Sequence, residues 1–254
     1  MFDLTGRIAL VTGSSRGIGR SMAEGLAEQG ARVVISSRKE DVCKQTAAEL
    51  NQRYGEGSAV AIACNAGYKE QIEALVEQTH SLLGPIDILI SNVGVNPFYG
   101  PSSEIPDTAL DKILSTNIKC NHWLCHLVAK DMVEKNNGSI MITASTGAFT
   151  PSLVIGTYHV SKLADIALVR NLALEYGPHG VRVNAICPGV IKTDFSRALW
   201  DNPEAQERAE TQTPLRRLGE ADDLKGVAVF LASDESSYIT GQALTVCGGT
   251  HMWS

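Results

Sequence analysis

Ile8-Ala9-Leu10-Val11-Thr12-Gly13-Ser14-Ser15-Arg16-Gly17-Ile18-Gly19 decides how this chain folds. The first four residues form a flat apolar run with no polar alternation, the pattern of a strand buried on both faces. From Gly17 to Gln29 the apolar residues recur at helical spacing, and Gly30 follows where a helix C-cap glycine belongs. Between strand and helix, Gly13, Gly17 and Gly19 let the main chain turn tightly and approach a pyrophosphate closely. The helix starting there aims its free N–H groups and positive dipole end at the same point. Glycine clusters are common, so the weight comes from the position at a strand-to-helix junction.

Outward from this junction the alternation continues. Strand-like runs fall at 32–36 (with Val33, Val34 and Ile35), 59–63, 86–91, 139–143, 181–186 and 243–246. Helical patterns fall at about 40–52, 68–82, 107–135, 157–176 and 221–232. Such alternation predicts an α/β fold with a doubly wound parallel sheet of about seven strands and helices on both faces. With no repeat or linker, 1–254 reads as a single domain. Residues 192–217 break the rhythm: the stretch is polar, carries Trp200, and is expected to be an insertion with a short helix of its own or a substrate lid.

Bulk properties narrow the function classes. The formal net charge of −6 gives no general pull toward nucleic acid or an anionic membrane, so neither is expected as a partner. No apolar run reaches membrane-spanning length, and Met1-Phe2-Asp3-Leu4 lacks the basic-then-apolar form of a signal peptide. Cys43, Cys64, Cys120, Cys125, Cys187 and Cys247 contain no Cys-x-x-Cys pair and read as reduced thiols of a cytoplasmic protein. His122 and His126, with Cys125 between them, lack an evident third ligand, so no metal is expected.

The second strand ends in Ser36-Ser37-Arg38-Lys39. A dinucleotide fold that takes NAD(H) carries a carboxylate here for the adenosine ribose. None is present. Arg38 can instead make charge-assisted bonds to a 2′-phosphate, with Ser37 donating a hydroxyl and Arg16 closing on the same group. NADP(H) is therefore expected over NAD(H). Further on, Tyr158 and Lys162 lie four apart and share a helix face. An ammonium beside a phenol favours phenolate and lowers its pKa, which makes Tyr158 a usable general acid/base. Ser145 stands 13 residues before Tyr158, just after a strand, and Asn117 sits in the long helix before that strand.

The Gly-x-x-x-Gly-x-Gly spacing, together with Asn117, Ser145, Tyr158 and Lys162 in this order, resembles the classical short-chain dehydrogenase/reductase family, and the match runs over essentially the whole chain. The resemblance implies a Rossmann fold and hydride exchange with a nicotinamide cofactor. It implies Tyr158 as proton donor to a carbonyl oxygen and Lys162 as the group that lowers its pKa and holds the nicotinamide ribose. Ser145 would position the substrate oxygen, and Asn117 would hold a water. It places Gly13, Ser15, Arg16, Gly17, Ile18, Gly19, Ser37 and Arg38 on the cofactor, with Cys64 and Asn65 at the adenine. Asn92, Val93, Gly94, Pro188, Gly189, Ile191 and Thr193 would line its remaining course. Three departures stand out: Ser91 and Val93 replace the first Asn and the Ala of the family's Asn-Asn-Ala-Gly, and Asn65 replaces an Asp. Val33 through Lys39, Pro188 through Trp200 and Arg217-Leu218-Gly219-Glu220 resemble the NADP-dependent carbonyl/retinal reductase branch most, although the peroxisomal tripeptide frequent there is missing.

By the same resemblance the substrate is a small carbonyl compound or alcohol held by Asn96, Phe98, Phe149, Leu153, Val154 and Trp200, a mostly apolar wall. A homotetramer or homodimer is implied, with His251-Met252-Trp253 reaching a neighbouring subunit. The alternatives are an NAD(H)-linked alcohol dehydrogenase, a 3-oxoacyl thioester reductase and, against the intact tetrad, a non-catalytic dinucleotide sensor.

Overall fold

The computed structural model describes residues 2–252, so the expectation for Trp253 lies outside the described residues. Seven strands form one parallel sheet: β1 (Ile8–Thr12), β2 (Arg32–Ser36), β3 (Ala59–Ala61), β4 (Ile88–Ser91), β5 (Gly138–Thr143), β6 (Val181–Pro188) and β7 (Ala243–Val246). Their order is β3-β2-β1-β4-β5-β6-β7. This is the doubly wound Rossmann arrangement. The order reverses between β1 and β4, and a crevice opens at their carboxyl ends, where such folds bind ligands.

Both faces of the sheet are dry, and the strand period assigns residues to them. On one face Leu10, Val34, Leu89, Ile140 and Val183 pack against α3 (Lys69–Leu82), α5 (Cys120–Lys135) and α6 (Gly156–Tyr176). On the other, Val11, Val33, Ile35, Ile88, Ile90 and Met141 meet α1 (Gly17–Glu28), α2 (Glu40–Tyr54) and α8 (Lys225–Ala232). This two-sided burial is why the strands read as unbroken apolar runs. Leu10 sits at 0 % exposure in the central strand, where the close-packed layers have little room to collapse. Leu10→Ala is expected to cost about 3 kcal/mol, measurable as a shifted urea midpoint with unchanged slope.

Two helical expectations change in detail. The pattern at 107–135 is not one regular helix: α4 (Asp107–Ile113) passes through a π-helical turn at Leu114–Lys119 before α5 begins. One extra residue in the spiral leaves the apolar periodicity nearly intact, so the pattern hides it. The pattern at 221–232 splits into a 3-10 turn at Ala221–Leu224 and then α8. Within 192–217 a short helix does form, α7 (Pro203–Gln212), with Pro203 at its first turn and the Asn202 side chain accepting from the Glu204 N–H.

Candidate active site

The loop after β1 is built to be held open. Ser14 is fully buried; its hydroxyl donates to the Val11 carbonyl at 2.6 Å and accepts from the Ser36 N–H at 2.9 Å, tying the turn to the end of β2. Gly13 and Gly17 take φ of +65° and +57°, conformations that side chains resist. No side chain caps the first turn of α1, and no acidic residue lies in it, so its N–H groups remain free for an anion. Asn92, at the end of β4, donates from its amide to the Gly13 carbonyl at 3.3 Å and from its N–H to Thr12 Oγ1 at 3.2 Å. The loops on both sides of the strand-order reversal are thereby locked together.

The other expected cofactor residues lie on the loops that follow β2, β3, β4 and β6. Arg38 is exposed beyond β2 and makes no ion pair among the described residues. Arg16 is exposed too, but its guanidinium pairs with Asp194 at 2.6 Å, so it spans to the start of the 192–217 segment. Cys64 is buried, its N–H bonded to the Ser37 carbonyl, and the Asn65 side-chain oxygen accepts from the Gly67 N–H at 3.2 Å. A Cβ on Gly94 would stand 3.6 Å from Lys162 Nζ, and one on Gly17 would touch Thr193 Cγ2 at 3.4 Å. Gly189 donates to the Val246 carbonyl, and a Cβ there would fall 2.9 Å from the Cys247 main chain. Free helix N–H groups, an unpaired arginine and glycines wherever the walls close in are the donor set and the cradle that a nicotinamide dinucleotide fits.

At the carboxyl ends of β5 and β6 the four implied side chains come together. Tyr158 and Lys162 are both buried on α6, with Lys162 Nζ 5.9 Å from the Tyr158 ring centroid. Ser145 ends the strand region; its hydroxyl accepts from the Gly147 N–H at 3.0 Å and pulls the Tyr158 pKa down. His159, its ring 6.1 Å from that of Tyr158, holds the turn after Ser145, its Nδ1 2.6 Å from the Thr150 carbonyl. Asn117 lies in the π-helical turn and is buried. Its side chain is fully engaged: the amide donates to the Val95 carbonyl at 3.0 Å and Ser161 Oγ at 2.9 Å, and the oxygen accepts from the Val95 N–H at 2.9 Å.

The Tyr158 pKa departs from the expected direction. Burial pushes it above the ordinary tyrosine value, and the opposing pull of Lys162 and Ser145 does not overcome this. Asp165 adds a smaller push in the same direction as burial, its Oδ2 lying 3.0 Å from Lys162 Nζ and sharing that charge. Asp165 was not among the expected residues, although its place three positions after Lys162 puts it on the same helix face.

The wall residues divide. Asn96, Phe98 and Val154 line one narrow cleft with Tyr158, together with Ile105, Ile113 and Ile155. Phe149 stacks on His251 at 4.5 Å. Leu153 is 89 % exposed. Trp200 lines a different groove with Asp201, Pro203 and Glu207, its indole N–H donating to the Thr193 carbonyl at 3.2 Å. Phe195 was missed and stands 5.9 Å from the Tyr158 ring; nothing in its local sequence marks it.

A sequence profile described as Enoyl-(Acyl carrier protein) reductase matches residues 13–251. Dehydrogenase/reductase SDR family member 4 of Bos taurus is 42 % identical over 248 residues, which cover 97 % of this chain and 88 % of the bovine protein. The chain belongs to the short-chain dehydrogenase/reductase family. Among solved structures, a gluconate 5-dehydrogenase from Burkholderia cenocepacia in complex with NADP and tartrate superposes with a TM-score of 0.93 at 30 % identity, covering 98 % of this chain and 96 % of that one. A 7α-hydroxysteroid dehydrogenase complexed with NADH and 7-oxo glycochenodeoxycholic acid gives 0.92 at 34 %, covering 98 % and 95 %. This short-chain dehydrogenase/reductase is thus an oxidoreductase acting on CH–OH groups, in a family whose members take nicotinamide dinucleotides. No helix among the described residues is long and apolar enough to cross a membrane.

Proposed function

We propose that this protein is an NADP(H)-dependent carbonyl reductase that interconverts small ketones or aldehydes with their alcohols. One observation carries the reading: a narrow, mostly apolar cleft lined by Asn96, Phe98, Ile105, Ile113, Val154 and Ile155 has Tyr158 in its wall, and Lys162 Nζ lies 5.9 Å from the Tyr158 ring centroid. When bound, the reduced nicotinamide supplies the hydride to the carbonyl carbon. Tyr158 donates its O–H proton to the carbonyl oxygen and is left as phenolate, which the Lys162 ammonium stabilises. Ser145 holds the same oxygen by a hydrogen bond. Because Tyr158 is pushed above the ordinary tyrosine value, its hydroxyl carries a proton throughout the neutral range. Reduction is then favoured near pH 7, and alcohol oxidation climbs as the pH rises.

Arg38 supports the NADP(H) preference, since an exposed guanidinium with no protein partner among the described residues is free to take a 2′-phosphate. Arg16, engaged by Asp194, is the weaker reader. Arg38→Asp is expected to weaken NADPH binding about 10- to 100-fold, the loss of one or two charge-assisted bonds plus a like-charge clash, and to leave NADH binding nearly unchanged. Fluorescence titration of both cofactors, followed by turnover on a panel of aliphatic and aromatic ketones, tests the whole reading. Equal or better NADH binding by the unchanged protein would favour the NAD(H)-linked alcohol dehydrogenase instead.

A carrier-borne acyl thioester, suggested by the name of the matching profile, is the second reading. The groove on the 192–217 segment presents Asp201, Glu207 and Glu210, which would repel an acidic carrier. The same segment, whose Phe195 ring stands 5.9 Å from that of Tyr158, serves as the substrate lid. A homotetramer or homodimer is supported by Val160, Leu163 and Leu174, exposed by 65, 51 and 81 % along one side of α6. Six unpaired thiols suit a reducing compartment such as the cytoplasm.

A further inference from the structure

Behind Tyr158 and Lys162 lies a buried polar chain that runs across three elements. Ser91 at the end of β4 donates to Asn121 Oδ1 at 2.5 Å. Asn121, in the first turn of α5, donates from its amide to the Asn117 carbonyl and to Asp165 Oδ1, both at 2.7 Å. Asp165 Oδ2 then takes Lys162 Nζ at 3.0 Å, and Nζ also donates to the Thr143 carbonyl at 2.8 Å. The side chains of Lys162 and Asp165 are 3 % and 0 % exposed. An ammonium has three N–H donors, so two are committed to the protein and one is left for the cleft.

A pair this deeply buried adds little net stability, because desolvation of both charges offsets their attraction. Removing one partner is costly, but an apolar pair would fold as well. Stability therefore does not account for the chain of bonds. Its electrostatic consequence is direct. Lys162 favours the Tyr158 phenolate, while the Asp165 carboxylate opposes it. Burial works against the Lys162 charge, and Asp165 leads the groups, with Tyr158 and Cys187, that together keep it.

We propose that Asp165 is a positioning residue that fixes the Lys162 ammonium between Thr143 and the cleft and, by offsetting part of its charge, keeps Tyr158 protonated for carbonyl reduction. The Asn121 and Ser91 side chains orient the carboxylate. This rests on Tyr158 being the proton-transfer group. The other titratable groups packed around the pair leave Asp165 as the one neighbouring carboxylate among the described residues. Burial pushes the thiols of Cys120 on α5 and Cys187 on β6 up to about 12, that of Cys64 after β3 up to about 11, and that of Cys125 on α5 higher still. Tyr99 and His159 stand on the Tyr158 side.

Asp165→Asn tests this, since it removes the charge and keeps an oxygen acceptor for Nζ. The readout is the pH profile of kcat/KM for oxidation of 1-phenylethanol with NADP+, with a thermal melt and an NADPH titration to confirm a folded, cofactor-binding protein. The apparent pKa of the rising limb is expected to move down by about one unit, the size that a charge several ångströms away imposes at an effective dielectric near 20. Asp165→Ser, which also keeps an oxygen, is expected to shift it the same way and serves if the amide does not fold. Asp165→Glu restores the charge and is expected to return the profile toward its original position. A purely structural carboxylate would lower the melting temperature and leave the profile in place. An unmoved limb, or one that moves up, overturns the proposal. Tyr158→Phe separates the two levels. If that variant keeps turnover, the underlying assignment fails. If it loses turnover while the Asp165→Asn profile stays put, only the role of Asp165 fails.

Discussion

Tyr158→Phe is expected to lower kcat for ketone reduction about a thousandfold, inside the range that a positioned general acid contributes, while NADPH affinity stays close to that of the unchanged protein. The substitution keeps the ring, so the contact with Phe195 and the packing under Lys162 survive. It removes only the hydroxyl, the group that would give the proton. Ser145 cannot replace the lost function, because an alcohol with no base behind it is a poor acid. His159 cannot either: its Nδ1 is held by the Thr150 carbonyl. Steady-state rates at pH 7 with a fluorescence titration of NADPH make the measurement. Loss of turnover with retained binding places the defect in proton transfer. Retention of more than about a tenth of kcat would place the proton donor elsewhere, and a parallel loss of binding would mean that the ring, not the hydroxyl, is what matters.

The strands were legible because they are buried on both faces. Val33-Val34-Ile35 and Ile88-Leu89-Ile90 carry apolar side chains to both layers of helices, and no solvent-facing residue interrupts the run. β3 was read two residues too long because it sits at the edge, pairing only with β2, and its apolar pattern outlasts its ladder. The site was legible where it depends on short separations: the three glycines of one turn, or Tyr158 and Lys162 on one helix face. It was not legible where it depends on tertiary approach. Ser91 to Asn121 spans 30 positions and Asn121 to Asp165 spans 44. Arg16 reaches Asp194 across 178. The direction of the Tyr158 pKa failed for the same reason: the Lys162 ammonium was visible on the helix, but the depth of its burial and the carboxylate sharing its charge come only with the packed fold.

Gly19→Ala is expected to weaken NADPH binding at least a hundredfold and to lower the melting temperature, against the usual effect of that exchange. Alanine in place of an exposed helical glycine stabilises by about 0.5–1 kcal/mol, since it restricts the unfolded chain. Gly226 in α8 meets that condition: it is exposed, and a Cβ there would have nothing within 4 Å, so Gly226→Ala is expected to raise the melting temperature. Gly19 is also helical, but its Cβ would stand 2.3 Å from the Gly13 carbonyl oxygen and 2.5 Å from the Asn92 amide nitrogen. Both neighbours are fixed. The carbonyl belongs to the turn itself, and Asn92 is already bonded to it. To admit a methyl, the start of α1 must move away from the end of β1, an overpacking cost of about 1–3 kcal/mol. That movement displaces the very N–H groups that would meet a pyrophosphate, so binding suffers more than stability. Thermal melts of both variants beside NADPH titrations make the comparison. Opposite signs for the two glycines would assign Gly19 to close approach. Equal stabilisation, with binding intact, would mean that the loop after β1 has room to spare and that its glycines serve the turn alone.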